Sequence, residues 1–129
     1  MNLEKISNYW VKNGDEKWKT AHSLMRGKRY ADALFFCHLA LESQLKAAVS
    51  LKADIFPPLS HNLPQLALLA GLEMSAEQEQ ALKEITTFNI KARYDDYKFA
   101  FYKRATKKYA IKFFSITQEL RLWIKKNTL

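Results

Sequence analysis

Between Tyr30 and Lys52 the chain carries neither glycine nor proline, and its apolar residues occupy nearly every side of a helical wheel. Leu34, Cys37, His38, Leu41, Leu45, Ala48 and Val49 form one stripe, and Phe35, Phe36, Leu39 and Ala40 carry the apolar surface around it. A helix that is apolar all round has to be enclosed by other elements, so this segment predicts the central helix of an all-α, up-and-down bundle. The rest of the chain agrees. Three glycines and three prolines in 129 residues are too few for the tight turns of a sandwich or barrel. A chain of this length makes one domain, residues 1–129, with room for about five helices.

The other helices follow from periodicity and punctuation. Leu3, Ile6, Trp10, Ala21, Leu24 and Met25 share a stripe that passes through Gly14 without a change of phase, which predicts one helix from about Leu3 to Arg26. A break at Asn13-Gly14 is the alternative, because that pair is a common turn. Gly27 suits a left-handed C-cap after Arg26. Pro57-Pro58 places a loop over 54–60, and Asn62 then caps a short helix with Leu63, Leu66, Ala67 and Ala70 inward and Gly71 as its stop. Ser75 and Gln78 have capping-box spacing at the head of a fourth helix that runs through Leu82, Ile85 and Phe88 and fades near Ala92. A last helix is predicted from about Phe101 to Asn127, with Tyr102, Ala105, Tyr109, Phe113, Ile116, Leu120 and Trp123 along one line.

Charge is distributed unevenly along this frame. Residues 1–90 hold ten basic and ten acidic residues, so the whole net charge of +8 lies in residues 91–129, eleven basic against three acidic. On the outer half of the last helix Lys103, Lys107, Arg121 and Lys125 stack on one flank and Arg104, Lys108, Lys112 and Lys126 on the other. Clustered cations of this kind attract phosphate by releasing counterions. The expected nucleic-acid-binding residues are therefore Lys103, Arg104, Lys107, Lys108, Lys112 and Lys125, with a solvated, solubilising face as the plainer reading. Arg93 ends the fourth helix among Lys91, Tyr94, Tyr97 and Lys98, a mixture of cations and aromatics able to hold a phosphate and stack a base. Asp95 and Asp96 are placed to fix its guanidinium. The candidate ligand-binding set is thus Arg93, Tyr94, Asp95, Asp96 and Lys98.

Several function classes are excluded. Cys37 is the single cysteine and it adjoins His38 on a helix, where the two side chains diverge by about 100°, so no metal site is expected and no cofactor is implied. The plain expectation for the pair is a buried thiol and a satisfied histidine. One cysteine also fits a cytoplasmic protein better than a disulfide-stapled secreted one. No glycine loop, nucleophile elbow, signal-peptide core or membrane-length apolar run is present. His61 precedes a helix start, where a capping role outweighs a catalytic one. Glu42 and Lys46 are read as an i,i+4 pair that supports its helix by a few tenths of a kcal/mol if exposed.

Three segments in order resemble one family. Residues 30–42, which read Tyr-Ala-Asp-Ala-Leu-Phe-Phe-Cys-His-Leu-Ala-Leu-Glu and are followed by Leu45-Lys46-Ala47, are similar to the second helix of HEPN domains ("higher eukaryotes and prokaryotes nucleotide-binding"). Pro57-Pro58 with Ser60-His61-Asn62-Leu63 resembles the loop and third-helix start of that family, and Asn89-Ile90-Lys91-Ala92-Arg93-Tyr94-Asp95 resembles its arginine-bearing segment. The resemblance spans about Trp10 to Trp123. It implies a bundle that forms a homodimer, is often paired with a minimal nucleotidyltransferase, and acts in many cases within toxin–antitoxin pairs. Active members are described as metal-independent ribonucleases that use an arginine followed after four to six residues by histidine. Here Arg93 matches the arginine, but Lys98, Phe99 and Ala100 occupy the histidine positions. The expectation is a module binding nucleotide or RNA phosphate. The alternatives are a ribonuclease with a displaced proton carrier (His61, His38 or Tyr97) and a purely structural partner subunit.

Overall fold

The computed structural model describes residues 2–94 and 99–128, and every element among them is helical. Helix α1 spans Leu3–Arg26, α2 Tyr30–Ala48, α3 Leu63–Leu69, α4 Ala76–Arg93, α5 Ala100–Arg104 and α6 Lys107–Thr128, and a π-helical turn at Val49–Ala53 extends α2. Helix α1 is continuous through Asn13-Gly14. Gly14 is buried against α2, where an added Cβ would stand 3.3 Å from the carbonyl oxygen of Ala40. The turn propensity of Asn-Gly is thus overridden by a close helix crossing, which an added Cβ would push apart by a few tenths of an ångström. Asn13 secures the same crossing by donating to Ser43 Oγ at 2.7 Å.

Helix α2 is the central element, with Leu34, Cys37, His38, Leu41, Leu45 and Ala48 all buried, as is Val49 in the π-helical turn that extends it. Helix α1 lies antiparallel to it, as the pairings of Lys17 with Phe36 and Trp10 with Lys46 require. Helix α6 runs antiparallel to α1, stacking Phe114 on Trp18 at 4.5 Å and placing Arg121 against Asp15 at 2.9 Å. Phe88 of α4 packs on Phe101, Tyr109 and Phe113 and so joins α4, α5 and α6. The capping box at Ser75 and Gln78 forms with both of its hydrogen bonds, and Asn62 caps α3 by accepting from the Gln65 amide.

Three local expectations need correction. Gly27 is not left-handed: its φ is −80°, and the positive φ falls on Lys28 at 59°. The predicted last helix is two helices, because the chain breaks at Ala105-Thr106 and Thr106 restarts it by accepting from the Tyr109 amide. The inward line also turns. Ala110, Phe113, Thr117, Leu120 and Ile124 are buried, Tyr109, Ile116 and Trp123 are half-buried, and Tyr102 is 64% exposed. No helix among the described residues is long and apolar enough to cross a membrane.

Candidate functional site

The basic residues divide into two groups once the helices are placed. Arg93 is the last residue of α4 and is exposed; its guanidinium lies 5.2 Å from the centre of the Tyr94 ring and donates to the Tyr94 hydroxyl at 3.3 Å. Asp95, Asp96, Tyr97 and Lys98 lie outside the described residues. Because Phe88 meets Phe101 and Tyr109, the end of α4, helix α5 and the start of α6 stand at one end of the bundle. That end carries Lys91, Arg93, Lys103, Arg104, Lys107, Lys108 and Lys112. Tyr94, Phe99 and Tyr102 are large exposed aromatics beside them.

Lys107 and Lys108 occupy the first turn of α6, which has no acidic residue. Cations there oppose the positive end of the helix dipole, and the first amides of a helix have no partner inside it. The start of α6 is therefore strongly electropositive. Lys125 stands on the same side of α6 but 18 residues further on, about 27 Å at the helical rise, with Ile111, Ser115, Gln118 and Leu122 exposed between. Arg121 does not belong to the outer face at all. Its side chain is largely buried, bonded to Asp15 at 2.9 Å and lying over Trp18 at 5.6 Å. Arg104 also has a structural partner, since it bonds Glu84 at 3.1 Å, and Glu84 accepts from the Tyr109 hydroxyl at 2.9 Å. Burial, with the Glu84 carboxylate beside it, pushes the Tyr109 phenol up to about 12. An apolar groove of about 310 Å³ between α1, α2 and α6, lined in part by Val11, Ala47, Leu51 and Leu122, lies toward the Lys125 end.

A second constellation was not legible as a site. Glu42 and Lys46, read as an i,i+4 pair that supports its helix only weakly if exposed, are both buried, at 6% and 4% residual exposure. Lys46 Nζ bonds Glu42 Oε2 at 3.1 Å and lies 4.9 Å from the centre of the Trp10 ring. The other carboxylate oxygen, Oε1, accepts from His61 Nδ1 at 2.7 Å. His61 therefore is not a cap, that role belonging to Asn62, and its ring turns back onto α2. Its backbone carbonyl accepts from His38 Nε2 at 3.1 Å. His38 is fully buried and its Nδ1 has no partner among the described residues, so the histidine is only half satisfied. Burial holds His38 below the ordinary imidazole value. It also pushes the Cys37 thiol up to about 12, which leaves that sulfur unreactive. The signal in the sequence was the apolar character of α2 itself: a helix enclosed on every side leaves no solvated face for a charged pair.

Among the described residues no cluster of three or more His, Cys, Asp or Glu could hold a metal ion. No curated protein shows significant similarity to the chain. A solved structure, that of TT1696 from Thermus thermophilus, is similar in fold with a TM-score of 0.76; it is 20% identical, with 93% of this chain and 96% of that chain covered. The family model described as HEPN domain matches residues 7–127, nearly the whole of the helical bundle set out above. The chain belongs to the HEPN family.

Proposed function

We propose that the chain is a binding module for nucleotide or RNA phosphate, acting as a homodimer and paired with a minimal nucleotidyltransferase in a toxin–antitoxin-type arrangement. Membership of the HEPN family supports the general class, and the partner is what the resemblance to that family implies. The observation that carries the phosphate reading is the start of α6. Lys107 and Lys108 sit where cations destabilise a helix, with Lys103 in the preceding α5 and Lys112 about one turn further along α6. A fold keeps such a local conflict where a bound anion relieves it. Arg93 with Tyr94, and the exposed rings of Phe99 and Tyr102, add the stacking surfaces that single-stranded nucleic acid uses.

The binding end is tested by fluorescence anisotropy of a labelled single-stranded RNA over a series of salt concentrations. Each phosphate neutralised contributes about 0.7 to the logarithmic salt slope for single strands. Reversal of Lys103, Lys107 and Lys108 to Glu is expected to flatten that slope, and reversal of Lys125 and Lys126 to leave it nearly unchanged. RNA that stays unshifted by the wild-type protein at low salt contradicts the reading. Light scattering that returns the 15.1 kDa monomer mass at all micromolar concentrations contradicts the homodimer.

A further inference from the structure

We propose that His61, oriented by Glu42, is a nucleophilic histidine that accepts a phosphoryl group on Nε2. A carboxylate only accepts hydrogen bonds when ionised, so the 2.7 Å contact places a proton of His61 on Nδ1, and in the neutral ring the lone pair is then on Nε2. The ring is 58% exposed while the carboxylate that orients it is buried at 8%, which turns the far edge of the imidazole to solvent. The loop that carries it is held as well. His38 Nε2 donates to the His61 carbonyl, and the following residue, Asn62, caps α3.

Electrostatics do not bar an anionic partner. A lone buried carboxylate would repel an approaching phosphate, but Lys46 holds the second oxygen of Glu42 at 3.1 Å and offsets its charge, with Trp10 packed over the ammonium. A buried ion pair contributes little to stability over an apolar pair of similar volume, so stability alone gives weak reason to keep one here. It has a direct chemical use in setting the tautomer of an accessible imidazole and holding its free nitrogen toward solvent.

The step balances simply. The Nε2 lone pair attacks phosphorus of a donor such as phosphoramidate in its zwitterionic form, whose nitrogen already carries the third proton; the new N–P bond forms, the donor's P–N bond breaks, and ammonia leaves with the electron pair of that bond. The positive charge left on the ring is stabilised by the Glu42 carboxylate on Nδ1–H.

The three histidines of the chain provide the comparison. His22 is exposed and, among the described residues, its ring meets those of Trp18 and Phe114, whereas His38 is fully buried. The full chain is incubated with potassium phosphoramidate, and labelling of each histidine is followed by mass spectrometry under alkaline conditions. His61 is expected to be labelled at least about tenfold faster than His22, the scale on which an orienting carboxylate acts, with His38 unlabelled. Glu42→Gln should bring the His61 rate down to that of His22. Equal rates for His61 and His22 in the wild-type protein, no labelling of any histidine, or an unchanged rate in a folded Glu42→Gln overturn the proposal. Should Glu42→Gln fail to fold, nitrogen-15 spectra of the wild-type protein decide the point: a protonated Nδ1 and bare Nε2 at His61 support it, and the opposite tautomer refutes it.

Discussion

Glu42 shows how a single residue changes meaning between sequence and structure. Its spacing to Lys46 is that of a solvated surface pair worth a few tenths of a kcal/mol, yet both ends are buried and both carboxylate oxygens are engaged. Burial reverses the energetics. Removing one member of such a pair leaves an uncompensated charge in the core, at a cost of about 3–5 kcal/mol, while removing both in favour of apolar residues of like volume is close to neutral. Lys46→Met alone should therefore lower the urea midpoint severely, and Glu42→Leu with Lys46→Met should recover most of the loss; equal loss in single and double variants contradicts the account. The position of His61 could not be read from the sequence for a related reason. Its partner lies 19 residues away on α2, and nothing in local spacing distinguishes a ring that caps its own helix from one that folds back onto another. His38 adds a pH dependence. Burial favours its neutral form, with Nδ1 unpartnered among the described residues and His61, Glu42 and Lys46 as the titratable and charged groups around it, so the unfolded chain binds a proton here that the fold refuses. That contribution is complete above the ordinary value of 6.5 and is lost as the pH falls below it. The decline in urea midpoint from about pH 7.5 to about pH 5.5 should be shallower in His38→Gln than in the wild-type protein, and identical declines would dismiss the role assigned to His38.

At the scale of elements, the sequence carried most of the architecture. The stripes of α1, α2, α3 and α4, the caps at Asn62 and Ser75 and the loop at Pro57-Pro58 all stand where periodicity and punctuation put them. The break between α5 and α6 was hidden because no glycine or proline marks it, and a short interruption between Tyr102 and Tyr109 leaves the residues on either side close to the same apparent phase. What ends α5 is tertiary: Phe101 is drawn into the core beside Phe88, and Thr106 then caps a new helix. The break has a consequence for charge, since it turns Lys107 and Lys108 from mid-helix residues into the first turn of α6. Replacing both with Glu should stabilise the unbound protein, by about 0.3–1 kcal/mol per site, through the helix dipole. The same change should weaken RNA binding. Thermal melts and anisotropy on the one variant test this opposition, and a variant that loses stability along with binding would show that the lysines serve the fold.

For the whole molecule, a net charge of +8 gives attraction to phosphate without saying where on the surface it acts. In the bundle Arg121 turns inward onto Asp15 and Arg104 onto Glu84, and Lys125 is separated from Lys107 by about five turns of helix; the proposed phosphate site rests on that division. What remains is one dense basic end, where α4 stops and α6 starts. Amide chemical-shift mapping tests this concentration most directly. The nitrogen-15-labelled protein is titrated with a short single-stranded RNA at low salt, and shifts are read along the backbone of α4, α5 and α6. The largest shifts are expected at Arg93 and at the amides of Lys107 and Lys108, with little change at Lys125 and Lys126. Shifts spread evenly along α6, or centred on its Lys125 end, would contradict a phosphate site built where the two helices meet.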